Sequence, residues 1–170
     1  MEYVYQKVTP KLWPLARVFL SILLYILLLT LSSCVTTHKP GERMVRTPEE
    51  TKGKSTCTPY SKTTLQLEDV QVSPDIVTPG KEINQRIRYA FCSLTPSSTL
   101  KGSITRIVLF EGKQMFRDTT NYEFKPGTWT VDVFIGIPQE AVSGVYALDV
   151  ALRYDNQTLK KSNSFIVKSR

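Results

Sequence analysis

Histidine occurs once in the 170 residues, as His38, and cysteine occurs only three times. A histidine-based catalytic triad, or a zinc site built from histidine and cysteine, needs more such residues in one folded region than this chain has. The sequence therefore predicts no metal site and no cofactor, and it favours a protein that is not an enzyme.

The chain also lacks an apolar run long enough for a typical membrane span. Residues 18–31 are almost wholly apolar, but as a helix they would cover only about 21 Å of a hydrocarbon core that is about 30 Å thick. Lys7, Lys11 and Arg17 precede this run. A basic segment followed by a short apolar run is typical of a secretory signal peptide.

The residues that end this run are Leu31, Ser32, Ser33 and Cys34. They resemble the lipobox of bacterial lipoprotein precursors, in which an aliphatic residue and two small residues precede a cysteine. The resemblance implies that residues 1–33 are removed as a lipoprotein signal peptide and that Cys34 is lipidated and anchors the chain in a membrane. The alternative is an uncleaved signal anchor.

Removal of residues 1–33, which contain three basic and one acidic residue, lowers the formal net charge from +7 to +5. A moderately basic protein favours anionic lipid headgroups or acidic polymers as partners, and export argues against nucleic acid. The residue after the cysteine is Val35 and not an aspartate. This resembles the lipoproteins that Gram-negative cells sort to the outer membrane. This prediction includes both the periplasmic and the surface face of that membrane.

The two remaining cysteines, Cys57 and Cys92, make an even pair in an oxidising compartment. Cys92 ends a predicted strand and faces away from the core, and Cys57 lies shortly before the first strand. Antiparallel pairing of residues 64–72 with 82–93 would bring the two together. We therefore predict a disulfide between them, with two free thiols as the alternative.

Residues 34–63 contain proline, glycine, threonine and mixed charges with almost no apolar periodicity. This composition predicts a flexible linker between the lipid anchor and the folded part of the chain.

Residues 64–170 contain short segments of alternating apolar and polar residues, separated by turn residues, which predicts an all-β domain. Alternation with one polar face indicates antiparallel sheets. In residues 128–137 the pattern is clearest. The residues predicted to face inward are Trp129, Val131, Val133, Ile135 and Ile137, and those predicted to face outward are Thr128, Thr130 and Asp132. Seven segments have this character: 64–72, 82–91, 102–111, 113–117, 128–137, 146–154 and 163–167.

The domain resembles immunoglobulin-like and fibronectin-like modules in the stretch SGVYALDV, residues 143–150. This stretch is similar to the Gly-x-Tyr-x-Cys that opens strand F of that fold, with Tyr146 at the position of the tyrosine corner. Leu148 stands where antibody domains have cysteine. The resemblance implies a single Ig-like β-sandwich of about seven strands, of the wider group of bacterial Ig-like and fibronectin-like modules.

Some polar residues suggest sites, but each has a simpler structural interpretation. Ser98 and Lys101 match the Ser-x-x-Lys pattern of penicillin-binding proteins without its accompanying motifs, which indicates a turn. Glu68-Asp69 and Asp118 resemble calcium ligands or paired carboxylates, although a β-bulge explains the first pair.

Three further positions suggest binding or modification. Asn156 begins a glycosylation-type sequence that we interpret as a hairpin tip. Arg86 and Arg88 could form a basic binding stripe, but pairing with Asp132 across neighbouring strands is favoured.

These features predict a lipid-anchored, non-catalytic lipoprotein that presents an Ig-like module to an envelope protein or polymer. The alternative function is an envelope assembly factor, chaperone or protease inhibitor that captures a client chain at an edge strand or loop.

Overall fold

The computed structural model describes residues 41–54, 57, 63–95 and 97–169, and these contain nine β-strands and one short α-helix. The elements are β1 (Glu42–Arg46), α1 (Pro48–Lys52), β2 (Thr64–Ser73), β3 (Ile76–Val77), β4 (Glu82–Cys92), β5 (Leu100–Phe110), β6 (Lys113–Phe124), β7 (Gly127–Gly136), β8 (Gly144–Tyr154) and β9 (Gln157–Val167). Within these residues the chain has no helix of the length and apolarity that crossing a bilayer requires.

The strands form a sandwich of a four-stranded sheet, in the order β1-β7-β4-β2, and a five-stranded sheet, in the order β3-β9-β8-β5-β6. Neighbouring strands are antiparallel except for β3, which pairs in parallel with β9. The all-β antiparallel prediction is confirmed. Strands β2, β4 and β7 occupy the places of A, B and E in an Ig-like sandwich, and β5, β8 and β9 those of C, F and G. The seven predicted segments correspond to β2 and β4 to β9, so β1 and β3 are additional.

Side chains alternate along the strands as the sequence pattern predicts. On β7, Trp129, Val131 and Ile135 are buried, and on β8, Leu148 and Val150 are buried. All five belong to one hydrophobic core between the sheets. A fully buried aliphatic side chain contributes about 1.5 to 3 kcal/mol, so this alternation accounts for much of the stability of the domain.

The prediction for the opposite face of β7 is wrong at two positions. The sequence pattern predicts that Thr128 and Thr130 face outward, but their exposed fractions are 0 % and 1 %. The Oγ1 atoms of Thr128 and Thr51, in α1, lie 3.0 Å apart. The hydroxyl of Thr130 donates to the carbonyl oxygen of Arg43, in β1, at 3.3 Å. The segment preceding β2 therefore covers this part of the sheet.

Residues 42–52 are part of the domain, which corrects the linker of residues 34–63 expected from composition. Strand β1 pairs with β7 along the edge of the four-stranded sheet. Helix α1 begins with a capping box, in which Thr47 N–H donates to the Glu50 carboxylate at 2.8 Å and Glu50 N–H donates to the Thr47 hydroxyl at 3.2 Å. The charged residues that suggested a solvated linker have partners, since the Arg46 guanidinium lies 2.7 and 2.8 Å from the Glu68 carboxylate oxygens.

Cys57 and Cys92 are joined by a disulfide, with their Cα atoms 5.9 Å apart. Cys92 lies at the end of β4, opposite Thr64 at the start of β2. The bond therefore connects the chain that follows α1 to the β2–β4 pair.

Candidate functional site

An apolar groove of about 350 Å³ lies between the β5–β6 hairpin and the chain that leaves β7. Glu140 is the one charged residue among the described residues that line it. Apolar grooves with few polar groups are the usual form of binding sites in proteins. The wall is formed by Val108, Phe110, Met115, Phe116, Ile135, Gly136, Ile137, Pro138, Glu140, Ala141, Val142, Tyr146 and Phe165.

Three apolar side chains at the rim of the groove are open to solvent. The exposed fractions of Met115, Phe116 and Val142 are 56 %, 42 % and 60 %. Single exposed apolar residues are common on protein surfaces, but a group of them around a concave site is typical of an interaction surface.

Two strand edges flank the groove. Strand β6 is the outermost strand of the five-stranded sheet, and its residues from Lys113 to Asn121 are exposed apart from the half-buried Asp118. On the other side, β1 pairs with β7 only up to Val131. Residues 133–136 of β7 therefore have β4 as their one neighbouring strand in the described part of the chain. An unpaired strand edge carries backbone donors and acceptors that a further strand can use.

The floor of the groove is a stack of aromatic rings. The ring of Tyr146 lies 4.6 Å from that of Phe110 and 5.4 Å from that of Phe165, centroid to centroid. The Tyr146 hydroxyl donates to the carbonyl oxygen of Val142 at 2.8 Å, which is the tyrosine-corner contact. At Gly144 a Cβ atom would lie 2.7 Å from the Phe110 ring. This close packing fixes the floor, so the groove is already formed in the free protein.

A buried polar cluster lies next to the groove, on the same strands β5 and β6. Arg106 of β5 is 3 % exposed, and its Nε–H donates to Gln85 Oε1 at 2.8 Å. Its Nη1 lies 3.2 Å from the Asp118 carboxylate on β6. Val108 and Phe116, which line the groove, lie two residues from Arg106 and Asp118 on the same strands.

Burial lowers the pKa of Arg106, and the charge of Asp118 acts in the opposite direction. Gln85 is fully buried, and its side-chain Nε2 has no hydrogen-bond partner within the described structure. A buried donor without a partner costs about 1 to 3 kcal/mol. The unpartnered Nε2 thus offsets part of the stabilisation that the hydrogen bond between Arg106 and Gln85 provides.

A second cluster attaches β1 to the sheet. The Lys125 ammonium lies 2.6 Å from the Glu42 carboxylate and 5.1 Å from the centroid of the Trp129 ring. Nearby, burial raises the pKa of Tyr89 to about 12, and it also raises the pKa of Tyr122. Both phenols therefore stay protonated at neutral pH, and this cluster has the character of a structural contact.

The residues singled out from the sequence are not brought together in one site. Cys34 lies outside the described residues, so its lipidation stays a prediction. Glu68 pairs with Arg46 beside a register shift in β2, which confirms the bulge. Arg86 pairs with Asp132, which confirms the cross-strand interpretation.

Asp118, one of the possible carboxylate ligands, instead pairs with Arg106. Within the described residues no three His, Cys, Asp or Glu side chains are grouped as metal ligands are. Sequence reasoning missed the groove and its polar neighbours. The inward-facing positions of Gln85 and Arg106 in their strands were the one available signal.

No family model matches the sequence, and no curated protein matches it. Similar solved structures include an alkylpurine DNA glycosylase of Pseudomonas fluorescens bound to DNA with an abasic site analogue (13 % identity, TM-score 0.44, 61 % of this chain and 30 % of that one). They also include a family 123 glycoside hydrolase of Clostridium perfringens (13 % identity, TM-score 0.44, 64 % of this chain and 27 % of that one). A third is a β-glucuronidase of Parabacteroides merdae (15 % identity, TM-score 0.42, 61 % of this chain and 14 % of that one). This chain spans less than a third of the length of each, and at these values the likeness assigns no function.

Proposed function

We propose that this protein is a lipid-anchored, non-catalytic component of the cell envelope whose Ig-like domain binds an extended segment of an envelope protein. The observation that supports this proposal best is the apolar groove between β6 and residues 133–136 of β7, two strand edges that are unpaired within the described part of the chain. An added strand can use the backbone groups of an edge while its alternate side chains enter the adjacent groove. The groove is preformed, which lowers the ordering cost of binding.

The anchor follows from the lipobox resemblance at Leu31-Ser32-Ser33-Cys34. Since β1 begins at Glu42, only residues 35–41 separate Cys34 from the domain. Seven residues reach at most about 25 Å when fully extended. The start of β1 would therefore stay within about 25 Å of the lipidated cysteine, which keeps the domain among proteins of the same membrane.

The experiment has two arms that can fail separately. Mass spectrometry of the mature N-terminus tests the anchor, and a Cys34 without lipid and still preceded by Ser33 would contradict it. For the binding role, a photoreactive amino acid is placed at Met115 in the groove or at the exposed Gln71 on β2, in the other sheet. We expect one stoichiometric crosslinked neighbour from position 115 and none from 71.

A second function, capture of client chains as an assembly factor, chaperone or protease inhibitor, is favoured by the length and exposure of β6. The same crosslinks separate the two functions. A fixed neighbour supports the binding module, whereas many different unfolded chains support client capture. Equal crosslinking from both positions would contradict a role for the groove in either function.

A further inference from the structure

We propose that the outer face of the five-stranded sheet binds an acidic polysaccharide. A shallow depression of about 150 Å³ lies on this face, away from the core. Exposed cationic side chains from three strands surround it: Arg117 of β6, Arg153 of β8 and Lys160 of β9. The salt bridges between described residues involve none of these three side chains.

The register of the strands places these groups on one face. Arg117 lies opposite Ile107, Ile107 opposite Asp149, and Asp149 opposite Ser162. Arg153 and Lys160 lie an even number of residues from Asp149 and Ser162, so they share this face. Arg117 and Lys160 lie on the first and last of four neighbouring strands, β6-β5-β8-β9, and three interstrand spacings separate them by about 14 Å. A single small anion cannot reach both, whereas a chain with repeated negative groups can.

Asp149, the one acidic residue among the described residues that line the depression, distinguishes among polyanions. The Asp149 carboxylate accepts a hydrogen bond from the Ser162 hydroxyl at 2.5 Å and lines the same depression as Arg117, Arg153 and Lys160. A uniformly charged polymer such as polyphosphate would place a negative group against this carboxylate. A polyuronate alternates carboxylates with neutral hydroxyls, and a hydroxyl can donate to Asp149 while the carboxylates lie at the cations.

The shape of the surface argues for a polymer chain and against a bilayer. The floor of the depression includes Ala151 and the buried Thr105, which lie below the long cationic side chains around them. A flat membrane surface would touch the cations but leave the floor empty. A sugar chain can lie in the depression and contact both. This site is separate from the groove, so its binding does not depend on the protein partner proposed above.

The test measures binding of the full-length chain in detergent to polygalacturonate and to its neutral methyl ester. We expect binding to polygalacturonate alone, and weaker binding as salt rises. Arg153→Gln and Lys160→Gln should each weaken it by about two- to fivefold. Lys168→Gln removes the same charge from an exposed position outside the depression and should have little effect.

Asp149→Asn decides between this proposal and general attraction of polyanions. If the Asp149 carboxylate accepts hydrogen bonds from sugar hydroxyls, this substitution weakens the binding of polygalacturonate, although it removes a negative charge. The binding of polyphosphate is then unchanged or stronger. Stronger binding of both polymers would overturn the proposal. So would equal effects of the Arg153 and Lys168 substitutions, failure to bind polygalacturonate, or preferential binding to phosphatidylglycerol vesicles.

Discussion

Arg86 and Asp132 lie directly opposite each other on β4 and β7 and form a two-point ion pair. Nε lies 2.7 Å from Oδ1, and Nη2 lies 2.9 Å from Oδ2. The side chain of Arg86 is 36 % exposed, so solvent screening limits the contribution of the pair. We expect Asp132→Asn to lower the free energy of unfolding at neutral pH by less than about 1 kcal/mol, as measured by urea denaturation.

The same pair predicts a pH dependence with a definite sign. The hydrogen bonds from Arg86 lower the pKa of Asp132 in the folded state. The pair therefore stabilises the fold above the unfolded pKa of about 3.9, and this contribution is lost as the pH falls through the folded value. The difference in stability between the native chain and Asp132→Asn should shrink on acidification. A difference that stays constant down to about pH 2 would contradict the assignment.

The buried Gln85–Arg106 contact predicts a strongly non-additive pair of substitutions. Gln85→Met removes the acceptor of Arg106 Nε–H inside the core, and we expect it to destabilise the fold by about 2 to 3 kcal/mol. Arg106→Met leaves Gln85 Oε1 without its donor and should be comparably costly. The double variant has an apolar core at this point and should regain most of the loss, because replacing both partners of a buried hydrogen bond by apolar side chains of similar shape leaves no polar group unsatisfied.

Urea denaturation of the four proteins gives the coupling free energy directly. Asp118→Asn is the matched control, since this side chain is 41 % exposed and its loss leaves the Gln85 contact in place. Additive losses in the double variant would show that the two side chains do not depend on each other.

The sequence predicted the strands of this domain because the alternation of apolar residues is a local property. It did not predict the buried pair, since Gln85 and Arg106 are polar residues at inward positions between Ile83 and Ile87 and between Ile104 and Val108. Strict alternation places both in the core. Their polar character suggested otherwise, and only the packing of the two sheets shows that Arg106 donates to Gln85.

The error at residues 42–52 has a different cause. The partners of this segment are remote in sequence: Glu42 contacts Lys125, and Arg46 contacts Glu68 and Thr128. Its composition is that of a solvated linker, and its charges are compensated only after the sheet has formed. The capping box at Thr47 and Glu50 was the local signal for α1. The groove was likewise not predictable, because its wall combines residues from five strands, β5 to β9, that only the folded sandwich brings together.

The disulfide between Cys57 and Cys92 should contribute substantially to stability. The two residues are 35 apart in sequence, and closing a loop of this size stabilises a fold by about 3 to 4 kcal/mol in the chain-entropy model. We expect Cys57→Ser to lower the free energy of unfolding by about this amount or somewhat less. A reductant should lower the stability of the native chain but not that of the variant. Two thiols that react before any reductant is added would contradict the bond.

The docking of β1 predicts a specific pattern of proteolysis. In the native chain, Arg43 and Arg46 belong to a strand that is hydrogen-bonded to β7, so we expect trypsin to cleave slowly after them. Glu42→Gln removes the negative charge that pairs with the Lys125 ammonium, which should release β1 and increase cleavage at both arginines severalfold. Glu111→Gln, at the exposed β5–β6 turn, removes one negative charge elsewhere and should leave cleavage unchanged. Rapid cleavage after Arg43 and Arg46 in the native chain would mean that this segment is the flexible linker its composition suggests.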